Sequence, residues 1–547
     1  MITKLNLLAV ILISSVLLVS FKVVANDSSI PHLIKQGNAF HLVVNNQPFI
    51  ILGGELGNSS YTSLEYMAPI WQKLRAMNLN TILVPIYWEL IEPTEGNFDF
   101  VLYDQLIVEA RKHDFKLIYL WFGSWKNSMS SHVPSWVKLD QKRFPRVKDD
   151  NGKSYEILTP FSEANLQADL KAFQALMKHI KEIDEKDRTV IMIQPENEIG
   201  MLPTARDYHQ LATEKFKQNV PAELIQYLKK NKDNLVPEFA EVWAKNGFKQ
   251  TGTWEEIFGK GTHTDEIFMA WYFAKFTNSI AEAGKNIYPL PMYVNAALNR
   301  PGRLPGSGYP SAGPLPHLMD IWKAGAPNID FLSPDFYFPN IKHWSDLYTR
   351  QGNPLFIPEH AFDKTVAAKA LFVFGHYEAI GFSPFSIEST ENAEKEKLGY
   401  VYNLMNQIAP FIIQYHGQNK IEGVLFDKEN QECVFQLGNY EFTLKHSYTL
   451  GYEANSKNDE WESAGAIVIQ TNEREFFLAG FGVVATFKNI KNPNLNVGIL
   501  KTEEGRFENG KWKVIRHMNG DQTHQGRHIR TFINDISIQR FELYDYD

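Results

Sequence analysis

Cysteine is nearly absent from this sequence, because its 547 residues include only Cys433. One cysteine cannot form a disulfide within the chain or supply a metal site that needs several thiolates. The sequence also lacks a His-Glu-x-x-His pair and a glycine-rich phosphate loop, which are the short motifs typical of zinc and nucleotide sites. We therefore predict that the protein uses no metal and no organic cofactor.

Clusters of positive charge are also missing. The net charge is −8, and no helix-length stretch is rich in lysine or arginine. Proteins that bind nucleic acid usually carry such a basic patch, which neutralises phosphates. We therefore expect no nucleic-acid partner.

Long apolar runs are confined to the N-terminus. Lys4 precedes a mostly apolar stretch at residues 5–21, and the small residues of Val23-Val24-Ala25 follow it, which is the pattern of a secretory signal peptide. We predict that residues 1–25 are a signal, that the protein is bacterial and periplasmic or secreted, and that it has no membrane association after cleavage. The alternative is an uncleaved anchor, since the run approaches the length that spans a bilayer.

What the chain does contain is apolar and aromatic. Hydrophobic residues make up 44% of it and aromatic residues 13%, including 12 Trp and 23 Tyr. Its length favours two domains over a single core. Trp and Tyr have flat apolar faces with a polar edge and can stack on sugar rings or fill a core; composition alone leaves both uses open.

Strand-like and helix-like stretches alternate eight times in the first two thirds of the chain. The predicted strands are residues 48–56, 81–86, 116–122, 190–193, 291–298, 329–338, 354–358 and 379–387. Such alternation indicates βαβ units and a parallel sheet, and eight units make a (β/α)8, or TIM, barrel. We assign the barrel to residues 26–409. A doubly wound sheet is the alternative, but Gly53-Gly54-Glu55 is not the phosphate-binding turn that it would need.

From residue 410 onwards, short strand-like runs are separated by turn signals. This pattern predicts an antiparallel β-sandwich domain over residues 410–547. Such a domain either binds carbohydrate or braces the barrel. No cluster of aromatics at strand-face spacing stands out, which favours bracing.

Two glutamates follow predicted barrel strands. Glu198 comes shortly after the apolar run at 190–193, and Glu359 comes directly after the strand at 354–358. Carboxylates are excluded from the interior of a buried parallel strand but fit at its C-terminal end, where the active sites of these barrels lie. Hydrolysis of a glycosidic bond needs one carboxylic acid and one carboxylate. We predict that Glu198 is the acid/base and Glu359 the nucleophile.

Other polar and aromatic residues near strand ends are candidates for binding the substrate. Asn197 is suited to donate to a sugar 2-hydroxyl, and Tyr337 to stabilise the charged nucleophile. Trp125 is a candidate for stacking on the sugar, together with Trp88. The predicted substrate-binding residues are Glu55, Asn58, Trp125, Asn197 and Tyr337.

Two further residues are candidates for tuning the glutamates. Glu196 would raise the pKa of the acid if it were buried beside it, and His360 follows the nucleophile directly.

The motifs around these residues resemble those of a known family. Residues 194–200 are similar to the acid/base motif of glycoside hydrolase family 35 β-galactosidases, which belong to a clan of retaining (β/α)8 enzymes, and residues 88–93 are similar to that family's signature after strand two. The resemblance covers about residues 49–408. It implies release of terminal β-D-galactosyl residues from oligo- or polysaccharides, including plant cell-wall side chains, in a secreted bacterial enzyme with a C-terminal β domain.

The sequence also departs from that family. Gly123-Ser124-Trp125 stands where the family has an Ala-Glu-Trp-like run, and Pro358-Glu359-His360 replaces its Ser-Glu-Phe or Ser-Glu-Trp run. We therefore expect a divergent branch, and a family 42-like or other retaining β-glycosidase remains an alternative. A non-catalytic carbohydrate-binding barrel is the alternative from another class, and the pair of glutamates argues against it.

Overall fold

The computed structural model describes residues 30–547, so the predicted signal at residues 1–25 lies outside the described residues. The first part of the chain forms a small N-terminal sheet, eight barrel strands and one hairpin. Its strands are β1 His32–Gln36, β2 Ala39–Val44, β3 Gln47–Phe49, β4 Ile51–Glu55, β5 Thr81–Tyr87, β6 Lys116–Lys126, β7 Arg146–Lys148, β8 Ser154–Leu158, β9 Val190–Asn197, β10 Tyr293–Ala297, β11 Phe331–Phe336, β12 Phe356–His360 and β13 Gly381–Pro384.

Eight of these strands form a parallel barrel, in the order β10-β11-β12-β13-β4-β5-β6-β9. The two end strands meet through a parallel bridge between Ile193 and Met292, where the amide of Ile193 donates to the carbonyl of Pro291 at 3.0 Å. Every residue of β5 and β9 is buried, as expected for strands covered on both faces. The predicted (β/α)8 barrel is confirmed, and the doubly wound alternative is wrong.

Helices follow the barrel strands. They are α1 Leu64–Met67, α2 Ile70–Ala76, α3 Trp88–Ile91, α4 Val101–Lys112, α5 Ser135–Leu139, α6 Glu163–Asp184, α7 Gln210–Phe216, α8 Ala222–Lys230, α9 Pro237–Lys245, α10 Trp254–Phe258, α11 Thr262–Lys285, α12 Met319–Gly325, α13 Ile341–Tyr348, α14 Val366–His376 and α15 Lys397–Tyr415. The apolar spacing over residues 64–77 predicts one helix, but the structure has two, divided at Pro69, which has no backbone N–H to donate. None of the helices in residues 30–547 is both long and apolar enough to cross a membrane.

The C-terminal part consists of two antiparallel sheets. Its strands are β14 Ile421–Phe426, β15 Glu432–Leu437, β16 Tyr440–His446, β17 Ala464–Gln470, β18 Glu475–Phe481, β19 Val483–Asn489, β20 Asn496–Glu508, β21 Lys511–His517, β22 Ile529–Arg530 and β23 Ser537–Tyr546. They form a six-stranded sheet, β14-β17-β18-β23-β20-β21, and a four-stranded sheet, β15-β16-β19-β22. Ring contacts of Phe442 with Phe476 and of Phe487 with Phe541 join the two sheets, as in the predicted sandwich.

The six-stranded sheet packs directly on barrel helix α14. A Cβ on Gly375 of α14 would lie 2.6 Å from the Cα of Gly423 in β14, so only glycine permits this close backbone approach. The division predicted between residues 409 and 410 falls inside α15, which continues through Pro410 to Tyr415. A long helix and a glycine contact thus tie the sheet to the barrel.

Candidate active site

Glu198 is held just after β9 by three contacts from two neighbouring segments. Its backbone N–H donates to Oδ1 of Asn295 at 2.9 Å, and its carbonyl accepts from the amide of Ser128 at 3.0 Å. The side-chain amide of Asn127 donates to its carboxylate. Its φ is +43°, a left-handed conformation that is uncommon outside glycine. These contacts fix the direction of the carboxylate.

Glu359 lies at the end of β12, buried at 4% exposure. The hydroxyl of Tyr337 donates to its Oε1, while Oε2 is buried with no hydrogen-bond partner in the described part of the chain. Burial raises the pKa of Glu359 to about 7, and the charge of Glu198 adds to this rise. Lys126 and the Tyr337 hydrogen bond act in the opposite direction.

Asp335 brings a third carboxyl group between these two. It pairs in register with Glu359 across β11 and β12, and oxygens of Glu198, Asp335 and Glu359 all lie within 4.8 Å of one another. Asn295 donates to Oδ2 of Asp335 at 2.6 Å. Burial, followed by the charges of Glu359 and Glu198, raises the pKa of Asp335 well above its usual range, and a hydrogen bond with Glu198 adds to this. Asp335 therefore holds a proton more readily than an ordinary aspartate does.

Lys126 supplies positive charge beside these acids. Its ammonium donates to Oδ1 of Asn197 at 2.9 Å and is 5% exposed. It lowers the pKa of both Glu359 and Glu55, because an opposite charge favours the ionised carboxylate. Lys126, Asp335 and Asn295 are not among the site residues predicted from the sequence, although Lys126 and Asp335 lie at the ends of barrel strands.

The two glutamates open into a cavity of about 570 Å³, a size typical of small-molecule sites, which span roughly 300–1,000 Å³. Its lining combines carboxyl, amide and basic groups with aromatic rings. The lining residues are Asn58, Lys126, Asn127, Glu198, Ala297, Leu298, Arg300, Pro310, Asp335, Tyr337, Phe338, Glu359 and Phe385. Phe338 and Phe385 offer flat apolar faces of the kind that stack on sugars, but neither residue is predicted from the sequence as a site residue.

The predicted substrate-binding residues are placed at different depths. Asn58 and Tyr337 line the cavity. Glu55 and Asn197 are buried, each at 1% exposure, and do not belong to the lining. Burial, together with the charge of Glu359, raises the pKa of Glu55 well above its usual range. Nδ2 of Asn197 has no hydrogen-bond partner among residues 30–547 and is therefore free to donate.

The stacking role predicted for Trp125 is wrong. Trp125 is fully buried, packs edge-on against Phe273 and Phe276 of α11, and donates from Nε1 to the carbonyl of Leu158 at 3.2 Å. Trp88 is equally buried and donates to Glu92. Both tryptophans are core residues outside the cavity.

Glu196 does not face the cavity either. Its Oε2 accepts from the amide of Trp125 at 2.7 Å. Burial and then the nearby Asp169 raise its pKa well above the usual range. The neighbouring carboxyl group that acts on Glu196 is thus Asp169, and the hypothesis that Glu196 tunes Glu198 gains no support.

His360 is also not a charged neighbour of Glu359. Its Nδ1 contacts the carbonyl of Ala361 at 2.6 Å, and its ring stacks on Phe336. Burial lowers the pKa of His360 to about 4, so the imidazole is neutral at pH 7 and adds no charge beside Glu359.

The three clustered carboxyl groups are also close enough together to contact one metal ion. Acidic clusters of this kind are common without a metal, and the same spacing serves a pair of glycosidase carboxylates. We therefore assign no metal site here.

Two family models match parts of the chain. Residues 63–270 match the model of glycoside hydrolase family 42, described as β-galactosidase, and residues 398–530 match DUF5597, a domain of unknown function. No curated protein sequence gives a match. The first match supports the predicted β-galactosidase-like glycoside hydrolase. The narrower assignment to family 35 is not confirmed, because the matching model is that of family 42.

Similar solved structures include three bacterial enzymes. The β-galactosidase from Bacillus circulans sp. alkalophilus matches at 13% identity and a TM-score of 0.45, over 66% of this chain and 57% of that one. The β-galactosidase from Marinomonas ef1 matches at 14% identity and a TM-score of 0.44, over 65% of this chain and 60% of that one. The catalytic domain of the β-amylase from Paenibacillus polymyxa matches at 15% identity and a TM-score of 0.44, over 64% of this chain and 96% of that one. The chain thus spans less than two thirds of the length of these two β-galactosidases.

Proposed function

We propose that this protein hydrolyses terminal β-D-galactosyl residues from oligosaccharides or polysaccharides with retention of the anomeric configuration. The observation that carries the proposal is the spacing of Glu198 and Glu359. One carboxylate oxygen of Glu198 lies within 4.8 Å of one carboxylate oxygen of Glu359. Retaining glycosidases place their two carboxyl groups about 5–5.5 Å apart, whereas inverting enzymes need about 6.5–9.5 Å to admit a water. The family 42 match over residues 63–270 supports galactose as the sugar.

In the first step, a carboxylate oxygen of Glu359 attacks the anomeric carbon while the bond to the leaving oxygen breaks. Glu198 gives its proton to that oxygen, so the leaving group departs as a neutral alcohol. Tyr337 holds Glu359 through Oε1. Oε2, which has no partner within the described residues, is the oxygen free to form the glycosyl ester.

In the second step, Glu198 acts as a base. It takes a proton from a water that attacks the anomeric carbon, and the bond to Glu359 breaks, releasing galactose with its original configuration. We assign Asn197 a supporting role, because its Nδ2 has no partner within the described residues and an amide can donate to the 2-hydroxyl, a contact that strengthens in the transition state.

A panel of nitrophenyl glycosides tests the proposal, with Glu359→Gln as the inactive control. We expect nitrophenol release from the β-galactoside above the other sugars, with β-galactose as the first product seen by NMR. If α-galactose forms first, the enzyme inverts. Faster cleavage of another β-glycoside would make it a different retaining glycosidase, and sugar binding without any cleavage would make it a binding protein.

We also propose that the protein is exported to the periplasm or secreted. The support is the signal-like segment at residues 1–25. Mass spectrometry of the protein from the periplasm or medium of a bacterial host should give a chain that begins after Ala25. An intact chain that begins at Met1 and stays with the membrane fraction would instead indicate an anchor.

A further inference from the structure

A second, larger cavity adjoins the catalytic one. It has a volume of about 1140 Å³ and lies between the loop and short helices after β4 and the turn after β13. Asn58 lines both cavities, and the neighbours Phe385 and Ser386 line the first and the second. The two cavities therefore share a wall, and a molecule held by its end at Glu198 and Glu359 can extend across Asn58. We call the second cavity the Tyr66 groove.

The lining of the Tyr66 groove is rich in neutral polar groups. Hydroxyl and amide side chains come from Asn58, Ser59, Ser60, Thr62, Ser63, Ser386 and Ser389. The groove also contains Lys73, but its ammonium donates to the carbonyls of Glu388 and Thr390 at 3.0 and 2.9 Å. That charge is already engaged by the protein, so the groove is better matched to hydroxyl groups than to an anion.

A buried acceptor in the groove wall lacks a donor. Glu388 is 7% exposed, and its Oε1 accepts from the amide of Gly57 at 2.9 Å and from the hydroxyl of Ser60. Its Oε2 is buried without a partner in residues 30–547, as is Oδ1 of Asn58. Unsatisfied buried acceptors are rare because desolvation of such a group is costly. Hydroxyl donors from a ligand would satisfy both.

Tyr66 provides an exposed aromatic surface in the same groove. It lies on α1 and is 60% exposed, whereas most large aromatics of the barrel are buried. An aromatic face beside hydroxyl and amide groups suits a sugar, which has apolar C–H faces and polar edges.

We propose that the Tyr66 groove binds the neutral oligosaccharide to which the terminal galactose is attached. This inference rests on the proposed function and adds the substrate class: branched or extended neutral glycans, in preference to short galactosides. Two observations carry it, namely the continuity with the catalytic cavity through Asn58 and the unpartnered acceptor of Glu388 in the same groove as the Tyr66 ring.

The test compares two substrates in two variants. Tyr66→Ala removes the aromatic face, and Ser389→Trp fills the groove from an exposed position. The substrates are nitrophenyl β-galactoside, which extends by only one ring beyond the galactose, and a neutral galactosylated hemicellulose oligosaccharide. We expect KM for the oligosaccharide to rise roughly 5- to 10-fold in Tyr66→Ala, as for the loss of an aromatic contact, and more in Ser389→Trp. The kinetics with the nitrophenyl substrate should not change.

Tyr452→Ala is the matched control, since Tyr452 is equally exposed, at 61%, but lies in the C-terminal part. The groove assignment is overturned if the variants leave KM for the oligosaccharide within twofold of the wild type, or if they impair both substrates equally. Failure of the proposed function looks different, because the wild type would then cleave neither substrate. In that case calorimetry tests the groove assignment by comparing the affinities of the wild type and of Tyr66→Ala for the oligosaccharide. Equal affinities, or no binding to the wild type, would overturn the groove assignment.

Discussion

The hydroxyl of Tyr337 donates a hydrogen bond to Oε1 of Glu359, and the two residues come from the ends of adjacent barrel strands β11 and β12. The bond stabilises the ionised carboxylate and so lowers the pKa of Glu359, against the burial that raises it to about 7. A nucleophile must be ionised, so activity should increase as pH rises through this pKa.

Removing the Tyr337 hydroxyl should therefore move the acid limb of activity. In Tyr337→Phe the pKa of Glu359 rises further, so the acid limb of kcat/KM should shift to higher pH. A pH profile with an aryl β-galactoside measures this. Tyr377→Phe is the control, because the Tyr377 hydroxyl bonds to the carbonyl of Lys342 and to Asp346, away from the site. An acid limb that does not move would contradict the role of Tyr337.

The raised pKa of Asp335 predicts that it acts as a neutral hydrogen-bonding group. Asp335→Asn keeps the shape and the absence of charge, so kcat/KM at neutral pH should stay within about tenfold of the wild type. Asp335→Leu removes the acceptor of the buried Asn295 amide, and an unsatisfied buried donor costs ~1–3 kcal/mol, so a loss of about 5- to 150-fold is expected. If Asn is as damaging as Leu, Asp335 is needed in its charged form.

The crowded carboxyl groups should make stability depend on pH. The pKa of Glu359 is raised from 4.5 to about 7, so between these values the folded state binds more protons than the unfolded state. The free energy of unfolding must then fall as pH rises through this window. Glu359→Gln removes the group, so the variant should show a weaker decline between pH 5 and pH 8. Urea unfolding at the two pH values measures it, and equal declines would contradict the account.

Trp125 should matter for stability and not for stacking on the sugar. It is fully buried against Phe273 and Phe276, and truncation of such a residue to alanine costs about 3–5 kcal/mol. Trp125→Ala should therefore lower the urea midpoint strongly, and Trp125→Phe should lower it less. Normal stability with a raised KM in Trp125→Ala would restore the stacking role.

The sequence was sufficient to predict the barrel and the positions of both glutamates. Apolar strands alternate with helices, and an acid that follows a buried strand can lie only at its open end. The same argument predicts Tyr337 as a site residue. It extends to Asp335, because residues two apart in a strand face the same side, but Asp335 is not among the predicted site residues.

The incorrect predictions concern residues whose side-chain direction is set by local backbone geometry. Trp125 and Lys126 are successive residues in β6, so they face opposite sides, and the structure turns the lysine toward the cavity. Glu196 and Glu198 would share a side in a regular strand. Both have positive φ, at +62° and +43°, which breaks the alternation and turns Glu196 toward Asp169. A sequence pattern does not predict such conformations outside glycine.

The Tyr66 groove could not have been predicted at all. Its walls come from residues after β4 and residues after β13, which are more than three hundred positions apart in the sequence. Only closure of the barrel, which places β13 beside β4, brings them together.

Azide rescue tests the central claim, the division of roles between Glu198 and Glu359, most directly. With a dinitrophenyl β-galactoside, Glu198→Ala still forms the galactosyl ester on Glu359, because this leaving group needs little protonation. Azide then attacks without a base, so turnover should recover and NMR should identify β-galactosyl azide. In Glu359→Ala no ester forms, so any azide product should be the α anomer, from direct attack on the substrate. The β-azide from Glu359→Ala, or wild-type activity in both variants, would contradict the account.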